Sequence, residues 1–138
     1  MPLTAELTQQ LITAARDEAA RRELPPVNIC VVDRAAHLAG FLRMDGAILG
    51  TIDVAHRKAR TAALFEADSS ALSNVAHPSG ASYTVEHTNG GLVTFGGGVV
   101  VRDEHRRVIG AIGVSGASVE EDELIAQAAV ARAAKGGD

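Results

Sequence analysis

Apolar residues recur at helical spacing from the start of the chain: Leu7, Leu11, Ile12, Ala15 and Ala19 fall on one face, with Arg16, Asp17, Arg21 and Arg22 opposite. This predicts an amphipathic first helix, capped by Thr4 and prevented from continuing by Pro25-Pro26, since proline lacks an amide hydrogen. The period then shortens. Val27 to Val32 is an unbroken apolar run that reads as a buried strand, Asp33-Arg-Ala-Ala36 as a turn, and His37 to Arg43 as the antiparallel return strand.

Asp45-Gly46 turns the chain into a second helix, with Thr51 as its expected cap and Asp53 in the first turn, where an acid is favoured. Ile52, Ala55, Ala59, Ala62 and Ala63 share one face, and most are small enough for the helix to lie very close to another backbone. His56, Arg57, Lys58 and Arg60 are assigned to the remaining faces. Asp68 to Ala76 reads as a short helix capped by Asp68 or Ser69, and His77 to Gly91 as a long polar loop of the kind that carries binding sites. Leu92 to Phe95 is expected to form a third strand. Val99 to Arg102 and Arg107 to Ser115 form a second hairpin around Asp103-Glu-His-Arg106. Ser118-Val-Glu-Glu121 is a capping box. It opens a last helix with Leu124, Ile125, Ala128 and Ala129 buried and Lys135-Gly136 at its end. Five strands joined mainly by hairpins predict an α+β fold, an antiparallel five-stranded sheet flanked by helices.

Composition narrows the possibilities. The 138 residues suit one domain, residues 1–138. Hydrophobic residues make up 46% but aromatics only 3%, so the core must be built from Ala, Val, Leu and Ile. A formal net charge of -4 argues against nucleic acid as a partner. Cys30 is the only cysteine, which excludes an intrachain disulfide and a cysteine-based zinc or iron–sulfur site; within Ile29-Cys-Val-Val32 it reads as a small buried hydrophobe. No apolar run approaches the roughly 20 residues of a membrane span, and no leader pattern opens the chain, so a soluble cytoplasmic protein is expected.

Candidate chemistry concentrates between Gly40 and Glu66. Arg43, Asp45, Asp53 and Lys58 are expected to converge where the strand ends and the helix begins, either as a salt-bridge network or as an anion clamp with a carboxylate base. In the second case Lys58 or Arg43 would hold a substrate carboxylate, and Asp53 or His56 would move a proton. Gly96-Gly-Gly98 lacks the Lys-Ser/Thr and following helix of a phosphate-binding loop, so it marks a bend in the sheet or a close approach of backbone to a ligand. Of the five histidines, His37 and His105 adjoin turns, His77 and His87 lie in the long loop with Tyr83 between them, and His56 stands on the cationic helix. No His-x-x-x-His or Glu-x-x-His pair builds a zinc site, and Ser115 lacks the setting of a nucleophile elbow.

Five motifs in order carry a family resemblance: Arg43-Met-Asp-Gly-Ala47, Ile52-Asp-Val-Ala55 with Lys58-Ala59, Asn89-Gly-Gly91, Gly96-Gly-Gly98, and Gly110-Ala-Ile-Gly-Val-Ser-Gly116. Together they resemble the GlcG/HbpS-like family of haem-binding and haem-degrading proteins, to which the C-terminal domain of PduO-type corrinoid adenosyltransferases also belongs. The chain departs from that pattern at Val100, where a proline is usual, and at Ala35 and Ala36, where glycine is common. The resemblance implies a profilin-like α/β sandwich that forms homo-oligomers, dimers or higher. It also implies haem held near a subunit interface, with His56 or His87 as the candidate iron ligand. Arg43, Asp45, Lys58, Gly97 and Gly98 become candidate cofactor contacts, the cations suiting haem propionates. Two other functions stand beside this one: a small enzyme acting on a carboxylic-acid metabolite in a catabolic pathway, with Asp53 and Lys58 as catalytic candidates, and a non-catalytic oligomeric accessory subunit.

Overall fold

A computed structural model describes residues 2–134. Its elements are α1 (Ala5–Arg21), β1 (Asn28–Asp33), β2 (Leu38–Arg43), α2 (Thr51–Phe65), a short α3 (Ser73–Ala76), β3 (Gly98–Arg102), β4 (Val108–Ser115) and α4 (Val119–Ala134). Single 3-10 turns occupy Ser69–Leu72 and Val85–His87. The sheet has four strands in the order β2-β1-β4-β3, with every neighbouring pair antiparallel. The expected end of α4 at Lys135-Gly136 lies outside the described residues.

The fifth strand expected at Leu92 to Phe95 does not form. The backbone there is satisfied by other groups: the Val93 amide donates to Thr61 Oγ1 (3.0 Å), the Leu92 amide to the Glu86 carbonyl (2.9 Å), and the Phe95 carbonyl accepts from Ser69 Oγ (2.7 Å). Leu92, Val93 and Thr94 are buried as a strand's residues would be, while Phe95 is exposed; the ladder partner is what the segment lacks.

Alternation along the strands sorts the core into two layers. Ile29 and Val31 of β1, with Val99 and Val101 of β3, pack under α1 and α4, while Cys30, Val32 and Val100 face α2. In β4 the register shifts opposite Val101 and Arg102, which lets Val108 face α2 and Ile109 face the other layer. Cys30 is fully buried and its thiol is pushed up to about 12 by burial, so it stays a protonated small hydrophobe.

The small face of α2 does what its residues predict. Ala55, Ala59, Ala62 and Ala63 are buried, and beneath them lie Gly98 and Gly113, directly paired across β3 and β4. A Cβ at Gly113 would stand 2.1 Å from the Ala55 carbonyl oxygen, and one at Gly98 would stand 2.3 Å from that of Lys58. Helix and sheet thus meet backbone to backbone.

Both hairpins use one device. Asp33 Oδ1 accepts from the amides of Ala35 and His37, and Asp103 Oδ1 from those of His105 and Arg107. The fourth turn residue takes positive φ in each, 68° at Ala36 and 65° at Arg106, the strain expected where glycine is replaced. At α4, Ser118 and Glu121 exchange their side-chain and backbone bonds as a capping box should (3.1 and 3.0 Å). Its buried face is Asp122, Ile125, Ala126 and Ala129; of the residues expected inside, Leu124 is exposed and Ala128 half-buried. Two other expected caps are corrected. Thr51 Oγ1 donates to the Ile48 carbonyl and accepts from Asn28 Nδ2, leaving Gly50 as the N-cap of α2, and Asp68 accepts instead from the Val100 amide at 3.1 Å. A proline at position 100 would have no hydrogen to give Asp68.

Two predictions follow from these contacts. Gly113→Ala is expected to cost about 1–3 kcal/mol by forcing α2 off the sheet, read as a lower urea midpoint; an unchanged midpoint would mean that the helix shifts freely. The Asp103 carboxyl is held down to about 2 by the Arg107 backbone amide, then by the His105 amide and the Arg107 charge, against burial. Because its folded value lies below the ordinary 3.8, the stability that Asp103 contributes is complete above that value and is lost as pH falls through about 2. In acid titrations followed by circular dichroism, Asp103→Asn should flatten the loss of stability over that window.

Candidate functional site

The cationic residues of α2 are divided between interior and surface. Lys58, expected on an exposed face, is fully buried: its Nζ donates to Asp122 Oδ2 (3.0 Å) and to the Val114 carbonyl (2.9 Å), and lies 5.1 Å from the centre of the Phe95 ring. Burial lowers the Lys58 pKa and the Asp122 charge opposes it; burial raises that of Asp122 and Lys58 opposes it. Gly97 and Gly98 wrap this pair. A Cβ on Gly97 would come within 2.6 Å of Lys58 Nζ. The amides of the two glycines donate to Glu123 Oε1 and Ser69 Oγ, so the glycine strip faces its own chain rather than open space.

Arg57 and Arg60 do reach the surface, where they fasten the long loop. Arg57 Nε donates to Asp53 Oδ2 (2.6 Å) and its Nη1 to the Gly90 carbonyl (2.5 Å), while Arg60 donates to the carbonyls of Asn89 (2.8 Å) and Gly91 (3.4 Å). Gly91 must be glycine here: its φ is 105°, and a Cβ would fall 1.7 Å from Arg57 Nη1. Arg43 and Asp45, at the end of β2 and in the following turn, are exposed, and their side chains make no hydrogen bond or ion pair among the described residues. The expected convergence of Arg43, Asp45, Asp53 and Lys58 is therefore not formed: Asp53 pairs with Arg57 and Lys58 with Asp122.

His56 occupies a different setting. It is half-buried in a groove of about 550 Å³ whose other lining residues are Leu38, Phe41, Leu49, Gly50, Ile52 and Asp53. Strand β2 forms one wall and the first two turns of α2 the other. The apolar side chains are unusually bare: Leu38 is 59% exposed, Leu49 67%, and Ile48 beside it 65%. An imidazole amid apolar walls can ligate a metal within a flat hydrophobic cofactor, and Asp53 adds one carboxylate to the rim. His87 stands exposed in its 3-10 turn and does not line this groove. The remaining histidines do local work. His77 Nδ1 meets Ser79 Oγ and its amide, the His37 ring lies 3.7 Å from Asp33, and His105 lies 3.8 Å from Glu104.

Asp122 and the groove walls escaped the sequence reading. Asp122 was indistinguishable from the other acids at the start of α4. For the groove a signal existed: Ile48-Leu49 puts two large apolar residues in the short segment between Gly46 and Gly50, where a polar turn is the rule.

The fold and these motifs define a known class. The chain matches, over residues 3–131, the family described as haem degrading protein HbpS-like, and it belongs to that family. It is 39% identical over 122 residues to the corrinoid adenosyltransferase PduO of Salmonella typhimurium, an alignment covering 87% of this chain but only 36% of PduO. The crystal structure of a PduOC–haem complex superposes with a TM-score of 0.89 at 36% identity, covering 95% of this chain and 94% of the other. The Klebsiella pneumoniae protein ORFY gives 0.90 at 32% identity, covering 95% and 90%. No helix among the described residues is long and apolar enough to cross a membrane.

The buried pair yields a prediction of its own. Lys58→Met is expected to cost about 3–5 kcal/mol by stranding the Asp122 charge, and Lys58→Met/Asp122→Leu to recover part of that loss. Chemical denaturation of the two single variants and the double would measure the coupling; additive losses would refute it.

Proposed function

We propose that this protein binds haem in the groove between β2 and the start of α2, with His56 as the iron ligand. The observation that carries the reading is a half-buried imidazole in a groove of about 550 Å³ walled mainly by apolar residues, with Asp53 at its rim, in a chain whose family includes a relative crystallised with haem. Leu38, Phe41, Leu49 and Ile52 would flank the macrocycle. Arg43, on the strand that walls the groove, has its guanidinium unengaged among the described residues and suits a propionate. Bound haem would supply an iron centre open to electron transfer or small ligands.

The groove is open on one side, so a haem held by one chain would leave an apolar face in water. A second copy of the chain, seated over Leu38, Ile48 and Leu49, would cover it, which makes a homo-oligomer part of this reading. The carboxylic-acid enzyme has less support, because Lys58 is enclosed and its expected partners stand apart.

Titration of the purified protein with haem, followed by absorbance, tests the proposal. A saturable Soret shift is expected, with affinity weakened more than about 10-fold in His56→Ala and unchanged in His87→Ala. A spectrum of free haem throughout, or loss of binding in His87→Ala alone, would overturn it.

A further inference from the structure

The turns of both hairpins lie at the same end of the sheet, because β1 and β4 are antiparallel neighbours with Asp33 paired to Gly110. This brings Arg34 from the first turn beside Arg102, Arg106 and Arg107 from the second, around a cavity of about 510 Å³. All four arginines are exposed at their outer ends. The apolar part of the lining comes from buried Ala63 and Val108 and from the exposed Leu64, and Glu66 is the one acid in it. The cavity sits at the C-terminal end of α2, whereas the groove holding His56 sits at the N-terminal end.

Part of this charge is already used. Arg107 Nε pairs with Asp103 Oδ2 at 3.2 Å, and Arg102 Nη1 donates to the Arg106 carbonyl at 3.0 Å. Arg34 and Arg106 make no side-chain hydrogen bond or ion pair among the described residues. In a chain of net charge -4, four guanidinium groups line this cavity; with Arg107 matched by Asp103 and Glu66 as the one acid in the lining, the surplus of positive charge rests on Arg34, Arg102 and Arg106. Arg106 holds φ at 65°, as Ala36 does at 68° in the other turn, and the backbone there would accept glycine without strain.

We infer that this cavity binds a small polyanion, a molecule bearing two or more phosphate or carboxylate groups. The arginine fork suits either oxyanion, gripping it through paired N–H donors, and Leu64 and Val108 can carry an apolar portion of the ligand.

Isothermal titration of the full chain with pyrophosphate and, separately, with citrate tests this inference and distinguishes the two kinds of anionic group. Saturable binding of at least one is expected, weakened about tenfold or more by Arg34→Gln and by Arg106→Gln. Arg16→Gln, which removes the same charge from a distant face of α1, should leave the affinity unchanged. Arg106→Gly should also lose binding while its melting temperature holds, because glycine accepts the positive φ. No saturable heat with either anion, or equal weakening by Arg16→Gln, would overturn the inference.

Discussion

The ion pair between Lys58 and Asp122 joins helices on opposite faces of the sheet. Lys58 leaves α2 and passes the end of the sheet beside Gly97; its ammonium then meets the first turn of α4. Two charges removed from water are tolerable only when each is closely matched. Here the match extends outward: Asp122 Oδ1 also accepts from the Ala117 amide, and the Val114 carbonyl accepts a second hydrogen bond from the Lys58 ammonium. The neighbouring glycines follow from this demand, since a side chain at position 97 would occupy the ammonium's place. The helix lysine and the glycine strip are thus one structural unit in this chain.

With α2 fixed in this way, its outer surface serves three neighbours. The N-terminal turns form a wall of the groove at His56, the middle holds the long loop through Arg57 and Arg60, and the C-terminal turn borders the arginine cavity. A helix set backbone to backbone on Gly98 and Gly113 has little freedom to slide, so these three regions keep a constant spacing. Binding at one end need not reshape the other.

What could be read from the sequence was what neighbours along the chain decide. The period of Leu7 to Ala19, the Asp-led turns at 33 and 103, the capping box at Ser118 and the small face of α2 all depend on residues within a few positions of each other. Lys58 was misplaced because its partner lies 64 positions away, and only the folded chain shows that one cation of the helix points inward. The Leu92 to Phe95 segment misled for a related reason: its composition is that of a strand, but Thr61 and Ser69 take the backbone bonds that a neighbouring strand would have taken. The groove joins a wall from β2 to one from α2, and the exposure of Leu38 and Leu49 is a property of that junction, not of either segment.

The fastening of the long loop has an evolutionary consequence. Arg57 and Arg60 grip the carbonyls of Asn89, Gly90 and Gly91, atoms that every amino acid carries, so the grip recognises the course of the main chain and is blind to most side chains along it. Gly91, packed against Arg57 at positive φ, and Gly80, where a Cβ would stand 2.3 Å from the Asn74 carbonyl oxygen, are the loop positions held to glycine by contact. The polar loop can therefore drift in sequence while keeping its path, and relatives that share these two arginines can present different surfaces beside an unchanged helix.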